Sequence, residues 1–262
     1  MKKSSPDAHR SDKIMNLTNT PIITYHQITS DSLYKDSLSL TVSVHQFERQ
    51  MRYLHEHGYN SLSARELIQS LGNDQQPWGK RVLLTFDDGY QSFFRLAYPV
   101  LYRYGFTATV FLITDFIGKD NDYLSWEQVL SLNKDGISFG SHTCKHLDLL
   151  QLSEEQVRRE LVFSKEYLED RLGEKVQLLA YPHGHSNLEI QHMAEAAGYE
   201  AACGIRRGRN SRFNLWRTQC HTEDTLLGFV FQLTKWPYYA RHFRDETAVG
   251  QFIRTVKHKI SR

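Results

Sequence analysis

The sequence predicts an α/β protein in which parallel strands close into a barrel. β-prone apolar runs alternate with helical segments of roughly 10–20 residues, a pattern typical of parallel strands joined by crossover helices. Seven or so such units follow one another without a linker or a low-complexity stretch, which favours a barrel over an open sheet. The 262 residues, of which 40% are hydrophobic, suffice for one domain with a sizeable core.

The elements of the first half follow from apolar periodicity and stop signals. A β-prone run covers residues 21–26. In the next segment, 44–59, Phe47, Met51 and Leu54 recur at helical spacing, and Gly58 is a stop signal. Further along we predict a short helix at 64–71, a strand at 81–86, a helix from about 91 to 104 and a strand at 107–112.

The second half continues the alternation. We predict a helix near 126–132 and a strand at 136–141. A long helix begins at Ser153, whose hydroxyl can cap it, because Gln156 stands in the capping-box position. There follow a strand at 176–182, a helix at 188–197, a strand at 199–205 and at least one more helical stretch after Trp216.

One domain is expected from residue 20 to residue 262, after a disordered polar tail over 1–19. The tail lacks the apolar stretch of about 7–15 residues found in secretory signals. No apolar run approaches the roughly 20 residues that span a bilayer. We therefore expect a cytoplasmic protein, with export by another route left open. The aromatic and basic stretch at 229–244 could touch a membrane, or it could pack on the barrel as an ordinary amphipathic helix.

Charge and cysteine content exclude some classes of protein. The net charge of +2 gives no argument for nucleic-acid binding. The three cysteines are widely spaced and form no C-x-x-C pair, which argues against a disulfide framework and favours a reducing compartment.

Ionisable side chains follow two predicted strands at the ends where barrel enzymes place their working residues. Asp87 and Asp88 follow the strand at 81–86, and His142 and His146 follow the strand at 136–141. One aspartate with two histidines is a common ligand set for a catalytic divalent ion, and the second aspartate would then be free as a base. Taken singly, each motif has an ordinary explanation as a turn or as a chance spacing among thirteen histidines.

Three segments in this order, LTFDDGYQSF, SHTCKH and AYPHG, resemble the NodB-type polysaccharide deacetylases, carbohydrate esterase family four. The resemblance covers residues from about 20 to 220. It implies an irregular (β/α) barrel of seven or eight strands and a metal-dependent removal of acetyl groups from N-acetylated sugars. The early TYHQI segment is most similar to the permuted branch that deacetylates poly-β-1,6-N-acetylglucosamine. Zinc is the expected ion, with cobalt, nickel or another divalent ion as alternatives.

The resemblance also implies a role for each matching residue. Asp87 matches the general base, and Asp88, His142 and His146 match the metal ligands. His26 matches the general acid of the permuted branch.

Other positions are assigned on weaker grounds. His221 is the alternative to His26 as the general acid. Pro182 and His183 match the place where the family has a proline followed by an aromatic residue. In the family, the backbone N–H of the residue after the proline faces the oxyanion. Tyr181 and Pro182 are expected substrate contacts. Trp216 could provide an apolar platform for a sugar, although a core tryptophan is the simpler interpretation.

One position departs from the commoner family pattern. An arginine that braces the catalytic aspartate is expected where this chain has Ala180. Arg217, at a later strand end, is the candidate substitute and an expected substrate contact, and a surface arginine is its alternative interpretation.

The predicted function is hydrolysis of N-acetyl groups on an acetylated glycan or glycan precursor. Two alternatives stay open at this stage. The barrel could bind carbohydrate with little or no turnover, as the alanine in the brace position would suit. It could also hydrolyse an amide of a non-sugar substrate, because the site chemistry does not name the acyl group.

Overall fold

A computed structural model describes residues 20–31, 39–71, 80–205 and 210–234. Within these ranges the strands are β1 (Ile22–Tyr25), β2 (Ile28–Thr29), β3 (Val42–Ser43), β4 (Asn60–Ser61), β5 (Arg81–Phe86), β6 (Thr109–Leu112), β7 (Ser138–Ser141), β8 (Leu178–Ala180), β9 (Ala201–Ile205) and β10 (Leu215–Gln219). The α-helices are α1 (Val44–Glu56), α2 (Ala64–Ser70), α3 (Tyr98–Tyr104), α4 (Trp126–Lys134), α5 (Glu154–Leu172), α6 (Leu188–Ala196) and α7 (Leu226–Gln232).

Seven parallel strands close into a barrel. Their order is β1, β10, β9, β8, β7, β6 and β5, and β5 pairs again with β1. The short strand β4 pairs with the start of β5, ahead of the residues that pair with β6. The barrel predicted from the sequence is therefore confirmed, with one extra strand beside the seven.

The strands are apolar on both faces because a second layer of side chains covers the barrel from outside. Outside the barrel, the ring of Tyr25 lies 5.0 Å from that of Phe47 on α1. The interior cluster is filled from the strands and from α2 by Ile22, Leu67, Ile68, Leu83, Phe111, Leu178 and Leu215.

Helix ends follow the predicted signals. Ser153 caps α5 through a complete capping box with Gln156. Gly58, just beyond α1, has a φ of +69°, a conformation that glycine adopts without steric cost. The predicted strands at 81–86, 107–112, 136–141, 176–182 and 199–205 all contain an observed strand.

The helix predicted from about 91 to 104 differs from the structure. Residues Phe93–Ala97 form a wide π-helical turn, and α3 follows it. Pro99 lies in the first turn of α3 and has no N–H to donate to the preceding turn, so a regular α-helix through this point would lose a hydrogen bond.

Two predictions concern residues at the ends of the chain. The tail at 1–19 lies outside the described residues, as does most of the stretch at 229–244, of which only the part up to residue 234 is described. None of the helices within the described ranges is long and apolar enough to cross a membrane.

Candidate active site

The predicted base, acid and metal ligands lie at the carboxyl ends of three barrel strands. His26 follows β1, Asp87 and Asp88 follow β5, and His142 follows β7, while Arg217 extends from β10. Because parallel strands bring these ends to one rim, the side chains meet although they are far apart in sequence. They border a cavity of about 550 Å³, which is lined by His26, Gln27, Leu40, Thr41, Asp87, Asp88, Tyr90, His142, His146, His183, Gly184, Ile205, Arg217 and Gln219.

Asp87 and Arg217 form a buried, bidentate ion pair. Nη1 of Arg217 donates to Oδ1 of Asp87 at 2.6 Å, and Nη2 donates to Oδ2 at 2.8 Å. Burial alone would raise the pKa of Asp87, but the charge of Arg217, with smaller contributions from His142 and His26, holds that pKa well below its usual range. Asp87 is therefore an oriented carboxylate that stays ionised.

Asp88, His142 and His146 form a group that could hold a metal ion. Oδ1 of Asp88 lies 3.5 Å from Nε2 of each histidine, and the candidate ligand atoms all lie within 4.8 Å of one another. Within the described part of the chain, this buried Oδ1 has no hydrogen-bond partner. Burial raises the pKa of Asp88 to about 6, while His26 opposes the rise and Asp87 adds to it. A buried acceptor that faces two imidazole nitrogens suits a divalent ion.

The tautomer of His142 is set by a backbone carbonyl. Its Nδ1 lies 2.7 Å from the oxygen of Ala180, so the proton sits on Nδ1 and the lone pair of Nε2 points to Asp88. Burial lowers the pKa of His142 to about 3, and burial also lowers the pKa of His146. Both rings are thus neutral, which is the form that binds metal.

The loop that carries the two histidines is strained and then secured by hydrogen bonds. Positive φ angles occur at Thr143 (66°) and His146 (58°), a region that residues other than glycine seldom adopt. The buried carboxylate of Glu160, on α5, accepts hydrogen bonds from the backbone N–H groups of Cys144 (2.8 Å) and Lys145 (3.0 Å). These bonds hold the loop in the conformation that brings His146 to Asp88.

The two candidates for the general acid lie in different places. Nε2 of His26 lies 3.9 Å from Oδ2 of Asp87, at the cavity. His221 is not among the residues that line the cavity, and its backbone N–H donates to Asp224 while its carbonyl accepts from Gln46. The geometry favours His26, whose role as an acid stays a prediction.

The predicted oxyanion donor is at the cavity, whereas the predicted substrate contacts are only partly there. His183 lines it, and its ring lies 4.7 Å from that of His146. Tyr181 is fully buried and donates its hydroxyl hydrogen to the carbonyl of Phe213, so the expectation that it contacts substrate is wrong. Pro182 is likewise buried and does not line the cavity, which corrects the same expectation.

Trp216 does not line the cavity either. Successive side chains of a strand point to opposite faces, and Arg217 occupies the inner face of β10. A half-buried Trp216 therefore faces away from the site, which corrects the prediction of a sugar platform. Arg217 is at the cavity, but both of its terminal nitrogens are engaged by Asp87 rather than open to a ligand.

Several cavity residues were missed in the sequence. Tyr90 lies beside Asp88, and its position two residues beyond this aspartate in DDGY could have indicated it. Gln27 follows His26 directly, whereas Thr41 and Gln219 carry no local signal and reach the cavity only through the fold.

Sequence comparisons agree with the motifs. The family model described as polysaccharide deacetylase matches residues 74–202. One relative is YxkH of Bacillus subtilis, whose name describes it as a polysaccharide deacetylase. It is 38% identical over 192 residues, which cover 73% of this chain and 66% of YxkH. The poly-β-1,6-N-acetyl-D-glucosamine N-deacetylase of Staphylococcus aureus is 28% identical over 177 residues, 63% of this chain and 61% of that enzyme. The matched part thus spans slightly less than two thirds of these relatives.

Solved structures share the barrel. The Streptococcus pyogenes deacetylase PplD, in complex with acetate, superposes with a TM-score of 0.75 at 28% identity, over 82% of this chain and 98% of PplD. A polysaccharide deacetylase from Bacillus cereus superposes with a TM-score of 0.72 at 27% identity, over 82% of this chain and 69% of the other. The irregular barrel predicted from the motifs is confirmed by these similarities.

Proposed function

The chain belongs to the polysaccharide deacetylase family, and we propose that it is a metal-dependent hydrolase that removes N-acetyl groups from an acetylated glycan. The observation that carries the proposal is that the two neighbouring aspartates have different contacts. Oδ1 of Asp88 lies 3.5 Å from Nε2 of both histidines, and it accepts no hydrogen bond within the described part of the chain. Oδ2 of Asp87 lies 3.9 Å from Nε2 of His142, but both oxygens of Asp87 accept hydrogen bonds from Arg217. A ligand and a separate base are what hydrolysis of an amide requires.

The metal site would consist of Asp88, His142 and His146, with zinc as the preferred ion and cobalt or nickel as alternatives. A bound divalent ion would supply a positive charge that polarises the acetyl carbonyl and lowers the pKa of a water molecule. Two neutral imidazoles and one carboxylate would provide the three protein ligands that such an ion needs, without further ligands from the described residues.

Asp87 would accept the proton of the attacking water. Arg217 keeps the carboxylate ionised and fixes its plane, so that proton transfer needs no reorientation of the base. The backbone N–H of His183 would donate a hydrogen bond to the oxyanion that develops as water adds to the acetyl carbon.

His26 would act as the general acid. Its protonated ring would give a proton to the sugar nitrogen as the C–N bond breaks, and the products are acetate and a free amine. Nε2 of His26 lies 3.9 Å from Oδ2 of Asp87, which places the ring beside the proposed base at the cavity.

The substrate we propose is a glycan that contains N-acetylhexosamine. The S. aureus relative is named for its action on poly-β-1,6-N-acetyl-D-glucosamine, and the early TYHQI segment resembles that branch. N-acetylglucosamine oligomers with β-1,6 linkages are therefore the first substrates to test.

The test is acetate release from these oligomers by wild type and by Asp87→Asn. General-base catalysis contributes about 10²–10⁴-fold, so we expect the rate to fall by at least about 100-fold. Asp170→Asn, an exposed substitution on α5, is the matched control and should retain the wild-type rate. Equal acetate release by wild type and Asp87→Asn would remove Asp87 from the role of base.

A further inference from the structure

A second and larger concavity adjoins the active-site cavity. This groove, which we name the α5 groove, has a volume of about 800 Å³. It lies between the loop after β6, the loop after β7 and one face of α5. Its lining is formed by Thr114, Asp115, Ile117, Lys119, Cys144, Lys145, Leu147, Leu152, Gln156, Arg159, Glu160, Phe163 and Tyr167.

The groove and the cavity share a wall. In the loop after β7, His146 lines the cavity, whereas its neighbours Lys145 and Leu147 line the α5 groove. A ligand that continues beyond the acetyl group at His146 would therefore need to cross only this loop to enter the groove.

A row of aromatic rings connects a residue of the cavity to a residue of the groove. Tyr90 lines the cavity and stacks on Tyr123, with ring centroids 5.4 Å apart and an interplanar angle of 18°. The ring of Phe116 follows at 5.0 Å from Tyr123, and Nζ of Lys119, a residue of the groove, lies 4.9 Å from the Phe116 ring.

Aromatic faces are exposed on the floor of the groove. Phe163 is 52% exposed and Tyr167 is 39% exposed, although both belong to a helix whose opposite face is in the core. Cations hold the rings in place, because the guanidinium of Arg159 lies 5.5 Å from the Phe163 ring and that of Arg171 lies 5.3 Å from the Tyr167 ring. Exposed rings flanked by hydrogen-bond donors suit the apolar face and the hydroxyl groups of a sugar ring.

The charged side chains of the groove leave a small positive excess. Lys119, Lys145 and Arg159 carry positive charge, against the carboxylates of Asp115 and Glu160. The Glu160 carboxylate is already engaged by two backbone N–H groups. An acetylated sugar residue is neutral, whereas a deacetylated residue carries an ammonium group that these cations repel.

We propose that the α5 groove binds the still-acetylated sugar residues that flank the reacting residue of a polymeric substrate. This inference rests on the proposed function and extends it, because it makes the chain an enzyme for oligomers rather than for single sugars. Continuity with the cavity, the exposed rings and the sign of the charge select a neutral glycan as the occupant.

The test compares a short and a long substrate. The double variant Phe163→Ala/Tyr167→Ala should retain kcat/KM for the N-acetylglucosamine disaccharide within about twofold, because a disaccharide offers only one sugar residue beyond the reacting one. For the hexasaccharide, kcat/KM should fall about tenfold through a higher KM, as expected for the loss of two stacking contacts. Tyr102→Ala, which removes a ring that is 76% exposed on α3, is the matched control and should change neither value.

Binding measurements separate this inference from the proposed function. Isothermal titration in the Asp87→Asn background measures binding without turnover. Removing both rings should weaken the affinity for the acetylated hexasaccharide about tenfold. With both rings present, the fully deacetylated hexasaccharide should bind more weakly than the acetylated one. If wild type released no acetate, the proposed function would fail, and this titration would still decide whether the groove binds glycan. Equal affinities with and without the two rings, or a preference for the deacetylated hexasaccharide, would overturn the inference.

Discussion

The pairing of Asp87 with Arg217 shows how one residue can replace another from a different strand. The family pattern predicts a bracing arginine at position 180, where this chain has alanine. Arg217 approaches the same carboxylate from β10 with both terminal nitrogens. Ala180 retains a role at the site through its carbonyl oxygen, which accepts the hydrogen bond from His142.

Removing the guanidinium should destabilise the fold. Arg217→Met leaves Asp87 buried without its partner, and breaking a buried pair typically costs about 3–5 kcal/mol in the free energy of unfolding. The double variant Arg217→Met/Asp87→Leu should recover most of this loss, because it removes both charges. Denaturant unfolding of the single and double variants measures the difference. An unchanged midpoint for Arg217→Met would show that the pair contributes nothing to stability.

Metal affinity should depend on pH through Asp88. The metal-free carboxyl has a pKa of about 6, so it is ionised at pH 7 and mostly protonated at pH 5. A metal ion must displace that proton, and one competing proton weakens binding by roughly tenfold at one pH unit below the pKa. Zinc titration of the metal-free protein at pH 7 and pH 5 should therefore show the weaker affinity at the lower pH. Equal affinities would contradict the high pKa.

At the scale of elements, α5 does more than cover the barrel. Its buried Glu160 secures the loop after β7, in which Thr143 and His146 adopt costly left-handed conformations. The helix thus positions His146, a candidate metal ligand that it does not itself carry.

This role predicts different effects for two substitutions. Glu160→Gln keeps a side-chain oxygen that can accept from Cys144 and Lys145, and it should retain zinc affinity within a few-fold. Glu160→Leu removes the acceptor, and loss of such an outer partner typically costs about 10–100-fold in metal affinity. Competition with a zinc chelator measures both. If Glu160→Leu bound zinc as tightly as wild type, the loop would hold its shape without α5.

Local signals made most elements predictable, and non-local contacts explain what was missed. Ser153 and Gln156 marked the start of α5 because a capping box is encoded within four residues. The π-helical turn before α3 and the two-residue strands β2 to β4 were not predicted, since each covers only about one period of its structure and a periodic pattern needs several.

The same difference between local signals and non-local contacts applies to the residues of the site. The DDG and HTCKH motifs indicated the proposed base and the candidate ligands, because these side chains lie within short loops. The hydrogen bond between Arg217 and Asp87 spans 130 positions, and the burial of Tyr181 depends on packing that no local pattern encodes.

On the scale of the whole molecule, barrel closure is what turns dispersed residues into one site. The pairing of β1 with both β10 and β5 brings His26, Asp87 and Arg217 together from both ends of the described chain. The cytoplasmic location and the membrane contact of 229–244 stay predictions. The central claim is that Asp88, His142 and His146 hold one divalent ion while Asp87 remains outside its coordination.

Zinc titration of the metal-free protein, by calorimetry, tests this claim most directly when wild type, Asp88→Asn and Asp87→Asn are compared. We expect one ion per chain for wild type and for Asp87→Asn, and no tight binding for Asp88→Asn. Undiminished zinc binding by Asp88→Asn, or its loss in Asp87→Asn, would contradict the assignment of ligand and base.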